Sequence, residues 1–173
     1  MKKLTIISIA IFLLAFKPNT ALADYFVADS SAQLVQNQVA KEPDFRTIQL
    51  EKTLEGYGSP ISEYAKVFVK YSDEYELDWR FVASISGVES TFGKRIPFNS
   101  YNAYGWANGE YSFQSWEESI GVVSKALGEK YIGRGAIAIN QIARIYAPPS
   151  STWANNVRFF MRKINPLPVT FTI

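Results

Sequence analysis

The stretch whose reading decides the fold is Asp78-Trp79-Arg80-Phe81-Val82-Ala83-Ser84-Ile85-Ser86-Gly87-Val88-Glu89-Ser90-Thr91-Phe92-Gly93, continued by Asn99-Ser100-Tyr101-Asn102-Ala103-Tyr104-Gly105-Trp106. Asp78 is a good N-cap, and Phe81, Val82, Ile85 and Glu89 follow at spacings of one, three and four, so the apolar stripe of a helix ends in a carboxylate. Three and four positions from Glu89 stand Ile85, Ser86, Phe92 and Gly93, and none of them is a cation that offsets lost hydration. Such a carboxyl holds its proton to unusually high pH, as a general acid must. The other reading of the same pattern is a buried Glu89 paired across the core with Arg95 or Arg144. Gly93 can take the left-handed conformation that stops a helix, and the loop beyond it gathers Asn99, Tyr101, Asn102, Tyr104 and Trp106 around Gly105. Flat rings stack on sugar faces and amides bond hydroxyl or acetamido groups, so the loop has the makings of a carbohydrate cleft. Aromatic loops also serve as core plugs, and composition does not separate the two.

At 173 residues, 47% hydrophobic and 20% charged, the chain suits one sizeable core and not two ordinary domains. Twelve Phe, ten Tyr and four Trp serve a core and a sugar groove equally. The absence of Cys and His excludes Ser-His-Asp and Cys-His catalysis and thiolate or imidazole zinc sites. Carboxylates and tyrosines are left for hydrolytic chemistry, and no metal or other cofactor is implied. Lys2 and Lys3 precede an apolar run over residues 4–16, and Ala21-Leu22-Ala23 supplies a small-residue cleavage site, the pattern of a secretory signal over residues 1–23. The run is shorter than the ~20 residues that cross a bilayer, so no stable membrane insertion is expected after cleavage; an uncleaved anchor is the alternative. Cleavage removes three lysines and no acid, leaving 15 bases against 16 acids and a net charge of −1. With no basic face left over, nucleic acid is not an expected partner.

Residues 24–56 read as a leader arm or linker of weak periodicity, in which Ile48, Leu50 and Leu54 can pack on the domain over residues 57–173. Ser59-Pro60 opens the first domain helix, which runs to about Tyr75. Asp73, Glu74, Glu76 and Asp78 lack the spacing of a calcium loop and are assigned capping and solvated roles. Asn108-Gly109 predicts a hairpin between Tyr104 and Phe113, with Glu110 on its lip. Ser115-Trp116-Glu117-Glu118 is a capping box whose acids favour the helix dipole, and Ile120, Val123 and Leu127 carry that helix onward. Ile139, Ile142, Ala143 and Tyr146 predict a further helix ended by Pro148-Pro149. Thr152 caps a last one carrying Trp153, Val157, Phe160, Met161 and Ile164. Residues 169–173 have strand-like composition. Five helices around a small β-hairpin make a mainly α domain in the α+β style.

Glu89-Ser90-Thr91-Phe92-Gly93, Asn99 to Asn102 with Tyr104-Gly105-Trp106, the Ser-Trp-Glu-Glu-Ser-Ile segment from Ser115, and Tyr146-Ala147-Pro148 with Trp153-Ala154 together resemble the glucosaminidase domain of glycoside hydrolase family 73. They also resemble its relatives, the soluble lytic transglycosylases, which share a lysozyme-like fold. The likeness covers residues 59–164. It implies a secreted, periplasmic or wall-associated enzyme, expected to be monomeric, that cuts β-1,4 bonds in the glycan strands of peptidoglycan. Glu89 would be the acid, and Tyr146 the tyrosine whose hydroxyl reaches the carboxyl or an acetamido group; its bland alternative is a helix-end core aromatic. Ser90, Asn99, Asn102, Tyr104 and Trp106 would contact substrate. Two-carboxylate glycosidases hold their acids about 5 to 5.5 Å apart for retention and roughly 6.5 to 9.5 Å for inversion. Glu110 is the best second acid, or else a solvated charge; without one, the substrate's N-acetyl group can stabilise the cation. Tyr104-Gly105-Trp106-Ala107 stands where glucosaminidases usually have Phe-Gly-Ile-Lys, and the Gly-Leu-Met-Gln segment of the transglycosylases is absent. The preferred reading is an exported hydrolase of N-acetylglucosaminidase type; a lytic transglycosylase using the same Glu89 and a non-catalytic wall-binding module are the alternatives.

Overall fold

A computed structural model of the chain describes residues 42–168, and the part from Pro43 onward is one compact unit. The stretches read above as a signal (residues 1–23), as the first part of an arm and as a strand-like tail (residues 169–173) lie outside the described residues. Six α-helices follow one another: α1 Phe45–Gly56, α2 Ala65–Glu74, α3 Phe81–Ser90, α4 Trp116–Lys125, α5 Ile139–Tyr146 and α6 Trp153–Ile164. Short 3-10 turns stand at Ser62–Tyr64, Trp106–Gly109 and Ile132–Arg134, and a wider π turn at Ala126–Tyr131.

The organising helix is α3. Seven consecutive residues from Phe81 to Gly87 are buried on every side, which defines a core helix and not an amphipathic surface one. It packs chiefly on α6 and also meets α2 and α4. Gly87 makes the α6 contact close, since a Cβ there would sit 2.7 Å from Phe92 and 3.1 Å from Phe160. Phe92 folds back beneath the helix, 4.7 Å from the Tyr57 ring and edge-on to Phe160 at 5.0 Å.

Asp78 serves the start of α3 from two residues further out than a simple N-cap. Its Oδ1 accepts from the Arg80 backbone N–H, while both oxygens hold the Arg80 guanidinium. That guanidinium is 1% exposed and donates to the carbonyls of Asn165, Leu167 and Pro168, so one buried arginine ties the start of α3 to the segment beyond α6. Of the neighbouring acids, Asp73 pairs with Arg46 of α1.

Three expectations are corrected. The second half of the supposed linker is helix α1, capped by Asp44, with Leu50 and Leu54 fully buried and Ile48 left 52% exposed. The Tyr104 to Phe113 hairpin does not form, and no strand occurs among the described residues. Instead Ala107 and Asn108 take left-handed conformations inside a single turn. The Asn102 side chain explains this, for its Nδ2 donates to the Trp106 and Tyr111 carbonyls and its Oδ1 accepts from the Trp106 N–H. Those are backbone groups that a strand ladder would need. Finally, Thr152 does not cap α6 with its side chain; the Ser150 hydroxyl accepts the Trp153 N–H instead.

Candidate active site

Helix α3 ends one residue after Glu89, and its reversal is tight. Thr91, Phe92 and Gly93 all have positive φ, so the left-handed exit begins two residues before the glycine expected to supply it. A β-branched threonine at φ 54° is strained and persists only where the surroundings hold it. Ser90 does much of the holding. Its buried hydroxyl donates to the Ala103 carbonyl at 2.9 Å and accepts the Gly93 N–H at 2.8 Å, pinning the loop to the helix end.

Glu89 points out of this junction. Its Oε1 accepts a 2.7 Å hydrogen bond from the indole Nε1 of Trp153, a side chain 3% exposed at the first turn of α6. Its Oε2 faces Gly105, where a Cβ would stand 3.4 Å away. The residue as a whole is exposed, which corrects the expectation of a carboxyl enclosed in an apolar wall; only the oxygen held by the Trp153 indole is sheltered. No ion pair holds it among the described residues, so neither Arg95 nor Arg144 is its partner. Partial burial pushes its pKa above the ordinary carboxylate value, against the downward pull of the Trp153 N–H. No second acid contributes to that shift.

A cleft of about 180 Å³, lined by residues 104–108, Tyr131 and Tyr146, adjoins Glu89, which does not itself line it but meets its wall at Gly105. The π turn brings Tyr131 there; π turns inside helices are common where a side chain must be re-aimed. Tyr146 closes α5, with its ring 6.2 Å from Tyr131 and 5.0 Å from Trp153. Its hydroxyl donates to the Tyr104 carbonyl at 2.7 Å and does not bond the Glu89 carboxyl. Burial, helped by the charge of Glu89, raises the Tyr146 pKa well above the usual phenol value, so the group is a fixed hydrogen-bond donor.

The other expected site residues divide. Trp106 and the backbone of the Tyr104 to Asn108 turn line the cleft. The Tyr104 ring is buried, and its hydroxyl has no hydrogen-bond partner among the described residues. Asn102 is buried and its amide is committed to the loop backbone, which leaves it nothing to offer a substrate. Ser90 is likewise a structural pin. Asn99 is exposed at φ 53° in the turn after Pro97, outside the cleft wall. Glu110 is exposed at the end of the Trp106–Gly109 turn, also outside that wall. Trp153 and Tyr131 were missed as site residues: the first read as core stripe, and the second has no local pattern to mark it.

No protein-family model matches the chain, and no curated protein matches it. No helix among the described residues is long and apolar enough to cross a membrane. The carboxylate, the indole that holds it and the adjoining aromatic cleft are what a functional reading has to explain.

Proposed function

We propose that the chain is an exported enzyme of lysozyme-like fold that cleaves β-1,4 glycosidic bonds in the glycan strands of peptidoglycan, with Glu89 as general acid. The observation that carries this is the Glu89 carboxyl: solvent-accessible, in no ion pair among the described residues, raised in pKa, and fixed in orientation by Trp153 beside a cleft walled by aromatic rings. A general acid needs access to the leaving oxygen, a pKa shifted toward its protonated form and a defined direction, and Glu89 meets each of these needs. In the reaction the Glu89 proton passes to the glycosidic oxygen as the bond to the anomeric carbon breaks. The Trp153 N–H then stabilises the carboxylate that results. Tyr131, Tyr146 and Trp106 supply rings against which a sugar can stack.

Glu110 is a weak choice for the second carboxylate, because it neither lines the cleft nor perturbs Glu89. The substrate's own acetamido group is then the natural partner for the cationic carbon, a route used by some glycosidases. That route fits hydrolysis with retention and fits a lytic transglycosylase forming 1,6-anhydro ends. Mass spectrometry of purified peptidoglycan digested by the protein tests the proposal. Reducing N-acetylglucosamine ends are expected; 1,6-anhydro ends would move the activity to the transglycosylases. Wall binding without any soluble fragment would leave only a binding module.

A further inference from the structure

The acids of the chain end at Glu129, and residues 130–173 carry six bases and no acid, an unevenness that a net charge near zero conceals and that corrects the expectation of no basic face. Four of those bases stand on the last two helices. On α6, Arg162 and Lys163 are exposed and Arg158, one helical turn before Arg162, is half-buried; on α5, Arg144 is exposed. The Arg158 guanidinium donates from Nη2 to Asn140 Oδ1 at 2.9 Å, which joins the two helices one turn from Arg144. None of the four forms an ion pair among the described residues.

A hydrophobic ring stands among these bases. Phe159 is 47% exposed, and helical spacing sets it between Arg162 and Lys163, with the Lys163 Nζ 5.5 Å from its ring centroid. Beside Arg144, Ile145 is 59% exposed. A lone exposed ring is ordinary on a protein surface, and bases in a last turn favour the helix dipole, which accounts for Arg162 and Lys163 taken singly. Neither accounts for a ring set amid unpaired bases on two helices that carry no acid at all. Arg162 stands about 180° round α6 from Trp153, and Arg144 about 160° round α5 from Tyr146, so this face looks away from the side chains that serve Glu89 and the cleft.

We propose that this outer face of α5 and α6 adsorbs to an anionic lipid bilayer, with Arg144, Arg158, Arg162 and Lys163 at the headgroups and the Phe159 ring inserted among them. Each base near an anionic bilayer strengthens adsorption roughly fivefold, and the ring adds an apolar contact that a wholly hydrophilic polyanion cannot return. The contact is peripheral, since no helix among the described residues is long and apolar enough to cross a membrane. A bilayer seated on this face leaves the cleft open. The inference stands independently of the glycan reading.

Protein beginning at Asp24, which lacks the apolar run over residues 4–16 and keeps the compact unit from Pro43 onward, is sedimented with phosphatidylcholine vesicles and with vesicles in which about a third of the lipid is phosphatidylglycerol. The triple variant Arg144→Gln, Arg162→Gln, Lys163→Gln and the single variant Phe159→Ser, all at exposed positions, are carried alongside with their helix content checked by circular dichroism. The parent is expected to bind the anionic vesicles and not the neutral ones, with binding that fades as salt rises. The triple variant should bind the anionic vesicles about 10²-fold more weakly, and Phe159→Ser about tenfold more weakly. A triple variant that binds as the parent does, or a parent that binds neither vesicle, overturns the inference and leaves the proposed function untouched. Tighter binding to duplex DNA than to the vesicles, lost in the triple variant and kept in Phe159→Ser, overturns it in favour of a hydrophilic polyanion.

Discussion

Loss of water pushes the Glu89 pKa up and the Trp153 indole pulls it down, and the first effect is the larger. Two outcomes follow with opposite signs. The acid works protonated, so activity falls as pH rises through the raised pKa. Trp153→Phe removes the donor that favours the charged form, so the alkaline limb of the pH–rate profile should move to higher pH; a limb that stays or moves down, in a variant still folded, contradicts this role. In the stability ledger, a carboxyl raised in the folded state favours folding at low pH and loses that contribution as pH climbs through its folded value. Glu89→Gln mimics the protonated form, so its Tm should equal or exceed the parent's at neutral pH, with the difference vanishing in acid. The residue itself was legible from the apolar stripe it terminates. Trp153 was not, because an indole N–H aimed across 64 residues leaves no trace in spacing. Tyr146 was found by resemblance, yet its hydroxyl serves a backbone carbonyl, a preference that only the folded loop reveals.

At the scale of elements, the loop from α3 to the cleft is where strain collects. Thr91, Phe92, Asn99, Tyr101, Ala107 and Asn108 are six of the seven non-glycine residues with positive φ among those described. Asn102 and Ser90 hold that loop, so Asn102→Ala should cost about 1–3 kcal/mol by leaving buried backbone groups unpaired, measured as a fall in denaturant midpoint. Gly105 combines φ 63° with its approach to Glu89. Gly105→Ala should cost about 1–2 kcal/mol in stability and lower activity further than that loss explains. Activity unchanged in Gly105→Ala would separate the turn from the acid. The helices α2 and α4 to α6 were readable from apolar spacing, whereas the hairpin was misread from a local Asn108-Gly109 signal. That signal fixes a turn with left-handed residues; whether strands flank it depends on which partners the backbone groups find, and here a side chain six residues upstream claims them first.

Across the whole molecule, a polar staple closes the core. Arg80 joins Asp78 to three carbonyls beyond α6 with almost no exposure, and removing one partner leaves the other charge buried. Arg80→Met should destabilise by about 3–5 kcal/mol, read from chemical denaturation; a loss below 1 kcal/mol would show that water replaces the guanidinium. The uneven charge, acidic at the front and basic behind, is invisible to net charge and plain once the sequence is divided at Lys130.

The most direct measurement is the rate at which the parent and Glu89→Gln release soluble fragments from purified peptidoglycan, with folding of both confirmed by thermal melting. Loss of the general acid should slow release by about 10²–10⁴-fold while Tm is maintained. Release by the variant at the parent's rate would remove Glu89 from the chemistry.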